Sequence, residues 1–125
     1  MKALKITYWV TTTIVAIMMT YSAYAYLTQP AVAQAFVHLG FPSYFRVELA
    51  VAKLIGAVII LTPLSPRVKE WAYAGFVITF ISAFIAHTAS GDPGSVRIMP
   101  LIFLAITAIS YYTWSKRPAA VQLAA

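Results

Sequence analysis

Three ionisable residues lie within one apolar stretch of this chain. Residues 44–61 are hydrophobic enough to cross a bilayer, yet they include Arg46, Glu48 and Lys53. An ionisable group within a span costs about 2.5–3.5 kcal/mol on insertion scales, so such groups usually face a protein interior or a wet cavity. A carboxylate there can handle protons, and a cation can hold an oxygen atom or an anion. We therefore predict a functional site on this segment. The alternative is a structural ion pair that joins helices.

The composition is that of an integral membrane protein. Hydrophobic residues make up 62% of the 125 residues and charged residues only 10%, whereas about a quarter of the residues in soluble domains are charged. The net charge is +6, but the basic residues lie at the ends of apolar segments rather than along one face, so we expect no nucleic-acid partner. The absence of cysteine excludes disulfides and thiolate metal sites, and redox chemistry would need a bound cofactor or a partner.

Four apolar segments predict an all-α fold, a four-transmembrane-helix bundle that forms a single domain over residues 1–125. The predicted spans are about 6–27, 44–62, 67–89 and 96–114, each near the ~20 residues that a bilayer requires. A secretory signal is the alternative for the first segment. The segment formed by residues 31–39 is too short to cross the bilayer, and we predict a short interfacial helix over the mouth of the bundle. The small residues after Arg117 are expected to be poorly ordered.

The distribution of lysine and arginine predicts the orientation. Six of these residues fall on one side of the predicted bundle: Lys2, Lys5, Arg67, Lys69, Lys116 and Arg117. Arg46 and Arg97 fall on the other side. The positive-inside rule then places both termini in the cytoplasm.

This orientation gathers polar residues in the outer half of the bundle. The first span offers Thr20, Tyr21, Ser22 and Tyr24 at that depth. The third span contributes His87 and is followed by Asp92, and Arg97 opens the fourth. We predict an outer-half pocket, covered by the interfacial segment with His38, in which five residues converge: Glu48, His87, Arg46, Arg97 and Tyr24.

Purely structural roles also remain open for these residues. Arg46 and Arg97 are typical of interface anchors that reach towards the headgroups. His87 is equally typical of a hydrogen-bonded structural histidine, and Tyr24 of packing. At 100° per residue, Glu48 lies about 140° from Lys53, so the two are not an ideal helical pair. No metal site is predicted, because His87 and Glu48 alone make an incomplete ligand set.

Several short motifs resemble the DoxX-like family. They are Leu39-Gly40-Phe41-Pro42, Arg46-Val47-Glu48, Lys53-Leu54-Ile55-Gly56, Pro66-Arg67-Val68-Lys69-Glu70-Trp71 and His87-Thr88-Ala89-Ser90-Gly91-Asp92. The resemblance covers most of the chain. It implies a small four-helix protein of the bacterial cytoplasmic membrane, named after a subunit of a thiosulfate:quinone oxidoreductase and often linked to membrane redox complexes. The cofactor is left open, with a quinone as the one that this analogy suggests, and the family element maps to Arg46, Glu48, Lys53 and His87 without assigned catalytic roles.

The first functional hypothesis is a redox-associated membrane subunit whose outer-half pocket binds a quinone-like or other small amphipathic ligand. Glu48 and His87 would handle protons there, and Lys53 or Arg46 would hold an oxygen atom or an anion. The alternatives are a non-catalytic scaffold or assembly factor and a small-molecule transporter. The lipid bilayer is the expected partner. The sequence leaves open whether the protein is an enzyme, whether it has a redox partner protein and whether it forms a homo-oligomer.

Overall fold

The computed structural model describes residues 2–117 and contains five α-helices in that range. They are α1 (Lys2–Thr28), α2 (Pro30–Leu39), α3 (Ser43–Leu61), α4 (Pro66–Ala89) and α5 (Gly94–Ser115). The described residues include no strand, so the predicted all-α class is confirmed. The tail that was predicted to be poorly ordered lies outside the described residues.

Proline and glycine set the ends of the short helix and the start of α4. Pro30 and Pro66 each open a helix, where a missing N–H costs nothing. Gly40 ends α2 with φ +86°, a left-handed conformation that glycine adopts readily. Ser65 caps α4, because its Oγ accepts a hydrogen bond from the backbone N–H of Val68 at 3.3 Å. These local signals give α2 nearly the bounds expected from the sequence.

The helices pack around α1, which contacts α3 and α5 most extensively, while α4 packs mainly on α5. One end of the bundle holds α2 and the α4–α5 loop, and we call it the α2 end. The other holds the start of α1 and the end of α5, and we call it the terminal end. α2 has few contacts, chiefly with α3. The core includes Tyr8, Ile60, Tyr73 and Trp114 and is tightest towards the terminal end.

A buried hydrogen-bond network closes the terminal end. The Ser110 Oγ lies 2.6 Å from the Thr12 Oγ1 and 2.7 Å from the Tyr73 hydroxyl, which links α5 to α1 and α4. The Lys69 Nζ donates to the Tyr8 hydroxyl at 3.3 Å and to a backbone carbonyl of α3 at 3.4 Å. Buried polar groups need such partners. We assign this network a structural role, since it joins four helices.

The outward faces of the bundle are apolar, with exposed Ile17, Ile55, Val58 and Ile85 among many others. Three helices, α1, α4 and α5, are long and apolar enough to cross a membrane by length and composition. The 19 residues of α3 include Arg46, Glu48 and Lys53, which lower its apolar character. The fourth span therefore stays a prediction.

Candidate ligand-binding site

Lys53 is turned into the bundle and is only 6% exposed. Its Nζ donates a hydrogen bond to the Ser22 Oγ at 2.7 Å and lies 3.8 Å from the centre of the Tyr26 ring. Ser22 and Tyr26 are four residues apart on α1, so both face α3. The ring supplies a cation–π contact and the hydroxyl a hydrogen-bond acceptor. Two residues of α1 thus fix the position of the ammonium.

Arg46 strengthens the same contact between helices. Its guanidinium donates a hydrogen bond to the backbone carbonyl of Tyr26, near the end of α1. That carbonyl belongs to the last turn of α1, where backbone oxygens lack partners within their own helix. Arg46 and Lys53 are seven residues apart and therefore lie on nearly the same face of α3. Together they hold the α2 end of α3 against α1.

Lys53 forms part of the wall of a cavity of about 510 Å³, which we call the chamber. Its polar lining includes Ser22, Tyr26, Lys53 and His87, and its apolar lining includes Met99 and Phe103 of α5. The volume falls within the ~300–1,000 Å³ range of small-molecule sites. A mostly apolar wall with a few convergent polar groups is typical of such sites.

A second cavity of about 460 Å³, which we call the groove, lies beside the chamber between α2, α3 and α4. Its lining is mostly apolar and includes Phe36 and Leu39 of α2, Phe45 and Leu49 of α3, and Ile78 of α4. The chamber and the groove share five lining residues: Tyr26, Val32, Thr79, Ala83 and His87. The two cavities are therefore neighbours separated by a common wall beneath α2.

Asp92 ties α2 to the rim of these cavities. The His38 Nε2 lies 2.7 Å from one carboxylate oxygen of Asp92, and the His87 Nδ1 lies 2.6 Å from the other. We call this set the His–Asp–His clasp. The hydrogen bond from His87, and after it the one from His38, lower the pKa of Asp92. An ionised carboxylate only accepts, so the two ring nitrogens donate. Of the side chains of α2, only His38 has a hydrogen bond to another part of residues 2–117.

The structure brings some of the predicted site residues together. Lys53 and His87 both line the chamber, Asp92 binds His87, and Arg46 contacts the backbone beside Tyr26. α2 lines the groove and its His38 belongs to the clasp, while the interfacial position predicted for residues 31–39 stays a prediction.

Other predicted site residues do not join this group. Glu48 and Tyr24 are exposed, Arg97 is half-buried, and none of the three lines the chamber or the groove. The physical reason is rotation about the helix axis. Glu48 lies about 140° from Lys53 on α3, so turning Lys53 inwards turns Glu48 outwards. Tyr24 likewise lies about 160° from Tyr26 on α1. Their functional roles stay predictions.

Sequence reasoning missed Tyr26 as a site residue and did not pair His38 with Asp92. The spacing of Ser22 and Tyr26, one helical turn apart at the depth of Lys53, is the signal that was available for Tyr26. No local pattern indicates the His38–Asp92 contact, because 54 residues separate the two partners.

Long apolar helices with outward hydrophobic side chains and a polar-lined cavity describe a helical membrane protein. The chain belongs to the DoxX-like family, whose family model matches residues 10–110. The resemblance noted in the sequence is thereby confirmed, and the match spans α2, α3 and α4 and most of α1 and α5. No curated protein and no solved structure shows a significant match.

Proposed function

We propose that this protein binds a small amphipathic molecule beneath α2. The polar head lies in the chamber against Lys53, and the apolar chain lies in the groove. The observation that carries the proposal is the buried Lys53 ammonium in the wall of one cavity, next to a second cavity whose lining is mostly apolar. Burial of this cation costs free energy, which a purely structural bundle could avoid with an apolar residue.

The proposal includes α3 as a fourth span, in a bacterial cytoplasmic membrane with both termini in the cytoplasm. Two of its three charges are withdrawn from lipid, because Lys53 and Arg46 are held by α1. The outward side chains of α3 include Val51, Leu54 and Val58. Basic residues accumulate at the terminal end, which favours the cytoplasmic side for that end. A single cysteine at Gln34 on α2 would react with an impermeant maleimide added outside intact cells. Labelling only from the inside would contradict this orientation.

A redox-associated subunit with a quinone-like ligand is the specific form that family membership favours. Lys53 and Ser22 can hold a carbonyl oxygen of the head group, and the quinone would supply the two-electron chemistry. Asp92 accepts a hydrogen bond from the His87 Nδ1, which leaves the Nε2 of a neutral ring to accept a proton. His87 borders both cavities and therefore serves as the proton-handling residue.

Native mass spectrometry of gently purified protein, with extraction of lipids and quinones, tests the binding proposal. Ala83→Leu fills the shared wall of the two cavities, and Ala74→Leu adds the same bulk to an exposed position of α4. We expect a stoichiometric small molecule in the wild type and in Ala74→Leu, and its loss in Ala83→Leu. An empty wild type, or equal retention by both variants, would overturn the proposal.

A scaffold or assembly factor is the second candidate, and the position of Glu48 favours it. This carboxylate is exposed on α3 between the apolar residues Val47 and Val51. A carboxylate on an otherwise apolar outer face suits a basic residue of a neighbouring chain, either a redox partner protein or a second copy. This candidate predicts that Glu48→Gln reduces partner recovery in mild detergent. Unchanged recovery of the same partner would contradict it.

A further inference from the structure

The charge of Lys53 is not neutralised by any carboxylate side chain of the protein. The chain has three acidic residues, and all lie in the described part. Glu48 points outwards, and Glu70 accepts a hydrogen bond from Tyr111 at 3.4 Å near the terminal end. Asp92 is engaged by two histidines. Within residues 2–117 the ammonium thus has a hydroxyl and an aromatic face as neighbours but no counter-ion.

The chamber is therefore electrostatically suited to an anion. A buried charge costs free energy unless an opposite charge pairs with it. The contact at 3.8 Å with the Tyr26 ring stabilises the protonated amine and supplies part of this compensation. No Asp or Glu lines the chamber, while the Ser22 hydroxyl adds a group that can donate a hydrogen bond. An anionic head group would complete the set of interactions that the protein leaves incomplete.

The lining of the groove indicates the chemistry of the rest of the ligand, beyond its head group. Its lining contains long apolar side chains such as Leu39, Phe45 and Ile78 and is bounded by α2 on one side. At about 460 Å³ it adjoins the chamber along a shared wall, so one hydrocarbon chain can lie in the groove while its head group lies in the chamber. An isoprenoid or acyl chain fits this apolar surface equally well, so the head group is the feature that discriminates between ligands.

We propose that the ligand is a single-chain anionic amphiphile, a long-chain carboxylate, whose head group pairs with Lys53. The inference rests on the proposed binding function and narrows the class of ligand for the same site. An anionic head group is preferred to an alcohol and to a quinone carbonyl, so this inference keeps the proposed binding site but departs from the quinone-like form that family membership favours. It also excludes two-chain anionic phospholipids, which share the charge but bring a second chain.

Equilibrium binding of labelled palmitate to the protein in phosphatidylcholine nanodiscs tests this inference. Unlabelled hexadecanesulfonate, hexadecanol, decylubiquinone and phosphatidylglycerol serve as competitors. A charge-assisted hydrogen bond predicts that hexadecanesulfonate competes about tenfold better than hexadecanol or decylubiquinone. Lys53→Met should abolish this preference and Lys53→Arg should retain part of it. Lys116→Met, which removes an exposed charge at the terminal end, should leave it unchanged.

The outcomes separate this inference from the binding proposal. Equal competition by hexadecanol or decylubiquinone overturns the anionic head group but leaves amphiphile binding intact. Competition by phosphatidylglycerol as strong as that by hexadecanesulfonate overturns the single chain. Failure of every compound to bind overturns both proposals. A preference for the sulfonate that persists in Lys53→Met overturns the assignment of Lys53 as the recognition residue.

Discussion

Gly56 allows α3 to lie close to α4, and its substitution by alanine offers a quantitative test of that packing. A Cβ atom at Gly56 would lie 2.5 Å from the Phe76 Cζ and 2.7 Å from its Cε1. Those distances are far below van der Waals contact, so the ring or the helix must shift. Gly75, inside α4, has nothing within 4 Å of the corresponding Cβ position. The pair therefore separates the cost of the clash from the intrinsic effect of replacing glycine in a helix.

Replacing Gly56 by alanine has two effects of opposite sign on the free energy of unfolding. Replacing a helical glycine by alanine contributes about 0.5–1 kcal/mol of stability. Overpacking a filled interface costs about 1–3 kcal/mol. We therefore expect Gly56→Ala to lower the free energy of unfolding by about 1 kcal/mol, and Gly75→Ala to raise it by about 0.5–1 kcal/mol. The difference between the two variants is the measured quantity.

Equilibrium unfolding in mixed micelles, followed by circular dichroism, measures both changes under one condition. Phe76→Leu in the Gly56→Ala background shortens the obstructing ring and should recover part of the loss. Equal stability of the two alanine variants would refute the close approach of α3 and Phe76. So would a loss in Gly56→Ala that Phe76→Leu does not reduce.

Three further changes test other parts of the fold. Ser110→Ala leaves the buried hydroxyl of Thr12 without its partner on α5, and we expect a loss of about 1–3 kcal/mol in the same unfolding assay. Asp92→Asn should reduce the loss of stability that the wild type shows as the pH falls. The pKa of Asp92 is lowered in the folded state, so its contribution is present above the ordinary value of 3.8 and is lost as pH falls through the lower folded value. His38→Ala should speed amide exchange in α2, because it removes the side-chain hydrogen bond from that helix to Asp92.

Each of these predictions has a control and a contradictory result. Ser82→Ala changes an exposed hydroxyl on α4, and a loss equal to that of Ser110→Ala would argue against the buried network. Thermal unfolding between pH 3 and pH 6 compares wild type with Asp92→Asn, and parallel curves would refute the lowered pKa. Gln34→Ala changes an exposed residue of α2. If the amides of α2 exchanged as fast in Gln34→Ala as in His38→Ala, the His–Asp–His clasp would not be what stabilises α2.

The helices were predictable because their signals are local. Pro30, Gly40 and Pro66 mark the ends of helices through their own backbone preferences. The apolar segments on either side have the length that a bilayer needs. These features require no knowledge of which helices touch, so the sequence alone places α1, α2, α3, α4 and α5 to within a few residues.

The site was only partly predictable, because the sequence indicates how deep a residue lies along its helix but not which way its side chain faces around the helix axis. Depth along the helix follows from residue counts, which predict Ser22 and His87 in the outer half of the bundle, and both line the chamber together with Lys53. Rotation depends on which face of α3 packs on α1, and a helix with charges on two faces leaves that choice open. Lys53 could bury its long side chain against Tyr26. The shorter Glu48 side chain turned outwards, away from the predicted pocket.

Contacts made by short elements were the least predictable. α2 meets the rest of the bundle through few residues, and its link to Asp92 joins positions 54 apart in the chain. A hydrophobic pattern of ten residues indicates that such a helix exists, but not where it docks. The contact of His38 with Asp92 therefore becomes visible only in the folded chain.

Mapping the sites labelled by a photoreactive palmitate tests most directly that an amphipathic molecule binds beneath α2. Protein in nanodiscs is irradiated with the probe, digested and sequenced by mass spectrometry, with and without excess unlabelled palmitate. The binding proposal predicts labels that unlabelled palmitate displaces at the cavity walls, on Thr79, Ala83 or Phe103. Labels spread over outward residues such as Ile81 and Ile85, and unchanged by the competitor, would show only lipid contact and would contradict the proposed site.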